Sequence, residues 1–273
     1  MLWAANNCGV ELLLNIGAAT EKGLAYLSGL AQLLGRALTG TVASPLKRSL
    51  SFQRANHQAM AVGVSAIPVI SFITFFVGVI IALQGAYELK RLGAIHLVAD
   101  MVAISITREL GPLVTAIVVI GRSGSAFAAE IGTMKVTEEL DAIETMALHP
   151  IAFLVTPKLL AMLIMMPCLT IWADLMGVFG GSVFGMIGAN YSFGSYFAAT
   201  RDALFMRDVI TGLVKSVVFG LVITGVGCQE GFSTGTGSEQ VGRSTTAAVV
   251  TSIFLVVFVD LIFTVIFYMT SGT

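Results

Sequence analysis

The chain is 273 residues long, 56% hydrophobic and only 11% charged, with a formal net charge of −1 and a mean hydropathy of +0.90. Soluble domains carry about 25% charged residues, so this composition excludes an ordinary soluble globule and predicts an integral membrane protein. The balanced charge also excludes the basic face that nucleic-acid binding needs.

Residues 9–38 show helical periodicity. Leu13, Ile16, Leu24, Leu27, Leu34 and Leu38 recur at roughly three- and four-residue steps, while Glu21, Lys22 and Arg36 interrupt the run. The pattern predicts an amphipathic helix lying in the membrane interface, with a helix packed on a partner as the alternative. Residues 1–10 lack a basic segment ahead of an apolar core, so no cleavable signal peptide is expected. Residues 44–58 are polar and basic and read as a surface connector. The chain then divides into an N-terminal part, 1–54, and a membrane domain, 55–273.

Residues 61–83 contain no charge and are long enough to span the hydrocarbon, which needs about 20 residues. Residues 84–96 read as a polar loop on the far side. A second span, about 97–120, carries Asp100, Arg108 and Glu109. Neighbouring residues cannot share one helix face, so Arg108 and Glu109 each need a separate partner or water. A small-residue turn (Gly121, Ser123, Gly124, Ser125) leads to an acidic helix over 133–148, with Thr137 as its expected N-cap. Leu140, Ile143 and Ala147 form a narrow apolar stripe on it, flanked by Glu138, Glu139, Asp141 and Glu144. Such a helix is either a solvated connector or an element that sits in a groove of a soluble partner.

Pro150 marks a boundary, and 151–189 is the longest apolar tract. One span over about 158–189 is favoured, with two half-helices as the alternative around Pro167 and Asp174. Gly177, Gly181 and Gly185 share a face and predict close approach of another membrane helix. Residues 190–208 suit an interfacial segment. A fourth span (about 209–228, with Lys215), a loop (229–246) and a fifth span (about 247–269, with Asp260) complete the chain. Nine Lys and Arg fall on the N-terminal side against six on the other, which predicts an N-terminus and acidic helix in the cytoplasm and a C-terminus outside.

Charges inside a membrane are expensive, so Asp100, Arg108, Glu109, Asp174, Lys215 and Asp260 either pair to fix the packing or line a path. Lys215 and Asp260 lie on different spans and are a candidate pair. Cys8, Cys168 and Cys228 are far apart, and His57, His96 and His149 show no metal-ligand spacing. No G-x-x-x-x-G-K-[ST] loop is present, and the glycine-rich 231–237 lacks the lysine of a phosphate loop. No catalytic constellation stands out, so no enzyme activity, metal or cofactor is expected of this chain. Uphill transport would draw on an ion gradient or on another chain.

Three segments carry a family resemblance: RELGP (108–112), GRSGSAFAAEIGTMKVTEELDAIE (121–144) and HPIAFLVTPK (149–158). VKSVVFG (214–220) and VGRSTTAAVV (241–250) add to it. The chain resembles the MlaE/YrbE permeases of MCE-type lipid ABC transporters. The resemblance implies an all-α inner-membrane protein of a bacterium, with five transmembrane helices and a cytoplasmic coupling helix between the second and third. It implies a homodimer working with two ABC ATPase subunits that bind ATP and Mg, an MCE-domain (MlaD-like) hexamer, and optionally a STAS-domain subunit. The implied function is movement of phospholipid between inner and outer membranes, maintaining outer-membrane lipid asymmetry. ATPase coupling would fall on Glu138, Glu139, Asp141 and Glu144. The transport path would fall near Arg108, Glu109, Lys215, Arg243 and Asp260, with weaker lipid contact at Val79, Leu83 and Gln84. Two other readings stand beside it: an ion-coupled transporter or channel using Asp100, Glu109 and Asp260, and a membrane scaffold for partners.

Overall fold

The computed structural model describes residues 2–40, 45–188 and 192–271. Every regular element among them is helical. α1 covers Leu2–Gly40 and α2 Pro45–Arg91. α3 is one rod, Ile95–Val136, and α4 is the short helix Glu139–Thr145. α5 opens with a wide turn, Ile151–Val155, and continues as Thr156–Gly188. α6 is Phe193–Ala203, α7 Met206–Ser233 and α8 Ser238–Ser271. Five of these helices (α2, α3, α5, α7 and α8) are long and apolar enough to cross a membrane.

α7 stands at the centre. Phe219, Ile223 and Val226 pack with Val119 and Ile120 of α3 and with Met162 and Met166 of α5. α8 lies at the rim, with Phe254, Phe258 and Leu261 open to the surroundings. Alternate crossings give the bundle two faces. The near face holds α4 and the 234–237 turn; the far face holds α6 and the 92–94 turn.

Several expected boundaries move. The 44–58 connector is helical from Pro45; a proline suits the first helical position, and nothing in the polar stretch after it breaks a helix. On the far side the helix runs on to Arg91, and the loop shrinks to a turn at Gly93, whose φ is +70°. The small-residue turn at 121–125 is instead a π-turn, Ile120–Gly124, inside continuous α3. An open turn there would leave backbone groups unpaired in hydrocarbon, whereas a π-turn keeps them bonded. The 229–246 loop reduces to residues 234–237, because α7 runs to Ser233 and α8 begins at Ser238.

α5 is a single helix with Pro167 inside it, not two halves. Its glycine stripe makes the expected close approach to a membrane helix at Gly177 and Gly181, where a Cβ would stand 2.9 and 2.8 Å from Ile106 and Val102 of α3. Cβ atoms at Gly181 and Gly185 would also stand 2.6 Å from the hydroxyl and 2.7 Å from the ring of Tyr196 on α6. The last two glycines therefore also house a buried tyrosine. A further close helix contact is with α2, where a Cβ on Gly78 would meet the Gly177 carbonyl at 1.9 Å and one on Gly180 the Phe75 carbonyl at 2.1 Å.

α1 packs through only part of the periodic set. Leu34 packs against the core with Leu30, beside buried Leu33 and Ala37, while Leu24, Leu27 and Leu38 remain exposed. The side chains of Leu13 and Ile16 lie outside the described residues.

Candidate functional site: an ion-pair network and an acidic helix joined by one rod

The first π-turn of α3, Ile106–Leu110, holds Arg108 and Glu109. It is wedged between two helices. A Cβ on Gly212 of α7 would lie 2.3 Å from the Thr107 carbonyl, and one on Gly177 of α5 would lie 2.9 Å from Ile106. Only glycine lets α7 approach this closely. On the α5 side, Asp174 Oδ1 lies 1.8 Å from where a Gly111 Cβ would stand, and this buried oxygen has no hydrogen-bond partner among the described residues.

Gly212 sits between Asp208 and Lys215, which are two turns apart on one face of α7. Arg108 and Glu109 straddle it. Arg108 Nε reaches Asp208 Oδ1 at 2.6 Å. Glu109 accepts a hydrogen bond from Lys215 Nζ. Lys215 also donates to Thr264 Oγ1 on α8 at 2.9 Å. Asp260 Oδ1 lies 2.9 Å from the same ammonium, as an ion pair without aligned hydrogen-bond geometry. The Thr264 hydroxyl is 2.9 Å from the Asp260 carbonyl and 3.2 Å from Glu109 Oε1.

Burial within the network is graded. Lys215 and Asp208 are nearly sealed, with side chains 1% and 6% exposed, while Arg108 and Glu109 are open at 40% and 39%. Arg108 with Asp208 is neutral. Glu109 and Asp260 share one lysine, two carboxyl groups against a single ammonium. The arrangement presents a cation and an anion side by side at a partly open surface, backed by sealed counter-charges. That suits holding polar groups inside an otherwise apolar bundle.

The expected Lys215–Asp260 pair is therefore present, and Arg108 and Glu109 join the same site. Arg243 does not. It is exposed near the other end of α8, beside Glu239 and Thr246 in a shallow hollow of about 660 Å³. Val79 is half-buried and Leu83 and Gln84 are exposed on the far half of α2, outside the network. Asp100 is half-buried in the far-side turn of α3, also outside it. Sequence reading missed Asp208 and Thr264. The Asp208–Lys215 spacing of seven, opposite in sign to adjacent Arg108 and Glu109, was the signal for the first.

From this network α3 runs unbroken to the near face, where it ends at Val136. Thr137 is not the N-cap of the acidic helix; it closes α3, its hydroxyl 3.0 Å from the Thr133 carbonyl. Glu138 occupies the cap position with φ +61°, and the helix itself is Glu139–Thr145. Its expected core of 133–148 is shorter because residues up to 136 belong to the span. Glu138, Glu139, Asp141 and Glu144 are all exposed, while Leu140 is buried below them. The helix ends with Leu148 N–H on the Ile143 carbonyl and Ala147 N–H on the Glu144 carbonyl, with Ala147 at φ +57°. That is a Schellman closure with alanine where glycine is usual. Below it, buried Lys158 of α5 pairs with Glu130 of α3 and sits 5.0 Å over the Phe127 ring, tying the two spans that flank the acidic helix.

Fold and site together define a polytopic helical membrane protein with a charged site in its far half and an exposed acidic helix on its near face. The family model described as Permease MlaE matches residues 55–266. A probable ABC transporter permease protein of Rickettsia typhi is 41% identical over 79% of this chain and 83% of its own. The corresponding protein of Rickettsia bellii is 38% identical over 94% of this chain and 99% of its own. The intermembrane phospholipid transport system permease protein MlaE of Haemophilus influenzae is 34% identical over 77% of this chain and 81% of its own. The chain belongs to the MlaE permease family.

Proposed function

We propose that the chain is the membrane subunit of an ATP-driven phospholipid transporter linking inner and outer membranes. One observation carries the mechanism: a single rod, α3, connects the ion-pair network to an exposed acidic helix. The protein works as a homodimer in a bacterial inner membrane, near face in the cytoplasm. ATP and Mg are bound and consumed in two partner ATPase subunits that seat on Glu138, Glu139, Asp141 and Glu144. An MCE-domain hexamer receives or delivers lipid on the far face, and a STAS-domain subunit is an optional regulator. Movement of the acidic helix tilts α3 and opens or closes the space beside Arg108 and Glu109. The phospholipid-transport name borne by the Haemophilus relative supports the substrate class.

Affinity purification of the tagged protein from native membranes tests this. Co-purification of an ATPase, an MCE-domain protein and phospholipid is expected, and Glu139→Lys with Asp141→Lys should abolish lipid transport. Purification without an ATPase, together with transport that survives the double reversal, overturns the reading. A second reading rests on the two carboxyl groups, Glu109 and Asp260, that share Lys215: ion-coupled transport. Lipid flux that persists without the ATPase but collapses with the proton gradient would select it.

A further inference from the structure

A groove of about 960 Å³ opens on the near face between α1 and the acidic helix. Its floor is apolar, built from Leu33 of α1, Leu140 of α4, Ile151 at the start of α5 and Phe232 at the end of α7. Its rim carries Arg36 on the α1 wall and Asp141 and Glu144 on the α4 wall, with His149 after α4 and Lys135 at the end of α3, whose ammonium donates to the Phe232 carbonyl. Arg36, Asp141 and Glu144 have no ion-pair partner among the described residues. An apolar floor between unpaired charges of opposite sign is the negative of an amphipathic protein element.

The α1 wall is fixed in place. Tyr26 Oη donates to Glu230 on α7 at 2.8 Å, and Gln229 Nε2 donates to the Tyr26 carbonyl at 3.2 Å. Thr156 Oγ1 of α5 donates to the Ala37 carbonyl at 3.0 Å. Leu30 and Leu34 close over Gly225, where a Cβ would meet them at 3.1 and 3.3 Å. The half of α1 that lines the groove is thus bolted to α7 and to α5, the span that follows the acidic helix.

We infer that α1, which lies outside the family match, is the second wall of the ATPase seat: the partner ATPase inserts an amphipathic element between α1 and α4, meeting Arg36 with an acid and Asp141 and Glu144 with bases. This rests on the proposal that the acidic helix docks an ATPase. The rim favours a protein over a lipid headgroup. Exposed Glu138 and Glu139 extend the carboxylate side, and a carboxylate-rich rim repels an anionic lipid surface.

A photo-crosslinking residue, p-benzoylphenylalanine, placed singly at Gln32, Ala142 or Leu24 of the full chain tests it in native membranes. Gln32 lines the groove, Ala142 is exposed on α4, and Leu24 is exposed on α1 beyond the groove. Crosslinks to the ATPase from positions 32 and 142, but not 24, are expected. A crosslink from 142 alone overturns the α1 wall and leaves the coupling role of α4 standing. No ATPase crosslink from either position, in a complex that still co-purifies, overturns both. A crosslink from 32 to phospholipid overturns the α1 wall by making the groove a lipid site. Independently, Arg36→Glu should lower co-purified ATPase about tenfold while Arg36→Lys keeps it, with thermal unfolding of the isolated permease unchanged. Undiminished ATPase with Arg36→Glu overturns the proposal.

Discussion

At the scale of single residues, Lys215 holds the site together. It is buried and serves Glu109, Asp260 and Thr264 at once. Lys215→Met would leave two carboxylates without their counter-charge, and breaking buried pairs costs about 3–5 kcal/mol. A large drop in the thermal unfolding temperature of the purified protein is the expected result, with a much smaller drop for Glu109→Gln because Glu109 is part-exposed. Gly212 makes a sterically different prediction. Gly212→Ala pushes a methyl toward the Thr107 carbonyl and should cost about 1–3 kcal/mol. Gly194→Ala on α6, with nothing within 4 Å, should be neutral or mildly stabilising in the same assay.

The residue scale also shows what the sequence could reveal of the site. Lys215 and Asp260 were legible because a lone charge in a span needs a partner on another span. That Arg108 and Glu109 both reach α7 was not legible. Adjacent residues of a regular helix diverge, and only the π-turn together with the gap at Gly212 lets both find partners on one neighbouring face. Arg243 was grouped with them on resemblance alone, and the fold sets it near the opposite end of α8.

At the scale of elements, the acidic helix carries two non-glycine residues in the left-handed region, Glu138 and Ala147. That region costs a non-glycine residue roughly 1–2 kcal/mol. Ala147→Gly should therefore strengthen the closure of α4 by up to about 1 kcal/mol, read as slower amide exchange at Leu148, whose N–H closes the helix. α1 offers a pH-dependent test. Burial, then the hydrogen bond and charge of Glu230, hold the Tyr26 phenol above its ordinary range. The folded state thus keeps the proton more tightly than the unfolded one. The contribution of this contact is intact below the ordinary phenol value of about 10 and is lost as pH rises above it. Tyr26→Phe should weaken α1 attachment at neutral pH by about 1.5–3 kcal/mol and remove part of the alkaline loss, measured by protease sensitivity of α1 against pH.

The five spans were readable from apolar length, but their ends were not. Polar residues at 45–53 and 84–91 cannot stop a helix that lacks a breaker. Glycine and serine at 121–125 signal a turn in water, and in a membrane they become a π-turn because no solvent is available to satisfy an open backbone. The glycine stripe of α5 and its close approach to another span were visible, but the aromatic ring from α6 that shares it is not identified by spacing alone.

At the scale of the whole molecule, the bundle is sealed around α7 and unsealed along α8. Phe254, Phe258 and Leu261 form an apolar strip that either lipid or a second protomer covers. For the dimer proposed above, Phe254→Arg with Phe258→Arg should convert a two-protomer mass to a one-protomer mass in detergent, read by light scattering. An unchanged mass would place the dimer contact elsewhere.

The length of α3 has a mechanical meaning. At 1.5 Å per residue, its 42 residues reach about 63 Å, roughly twice the thickness of the hydrocarbon. From the π-turn that grips α5 and α7 to the last residue before the acidic helix is an arm of about 39 Å. Pivoting that arm by about five degrees sweeps its tip through about 3.4 Å, close to the width of one side chain. The gearing runs the other way as well: a push at the tip would arrive at the Arg108 and Glu109 pivot as a small rotation with multiplied force, where both charges sit against partners on α7.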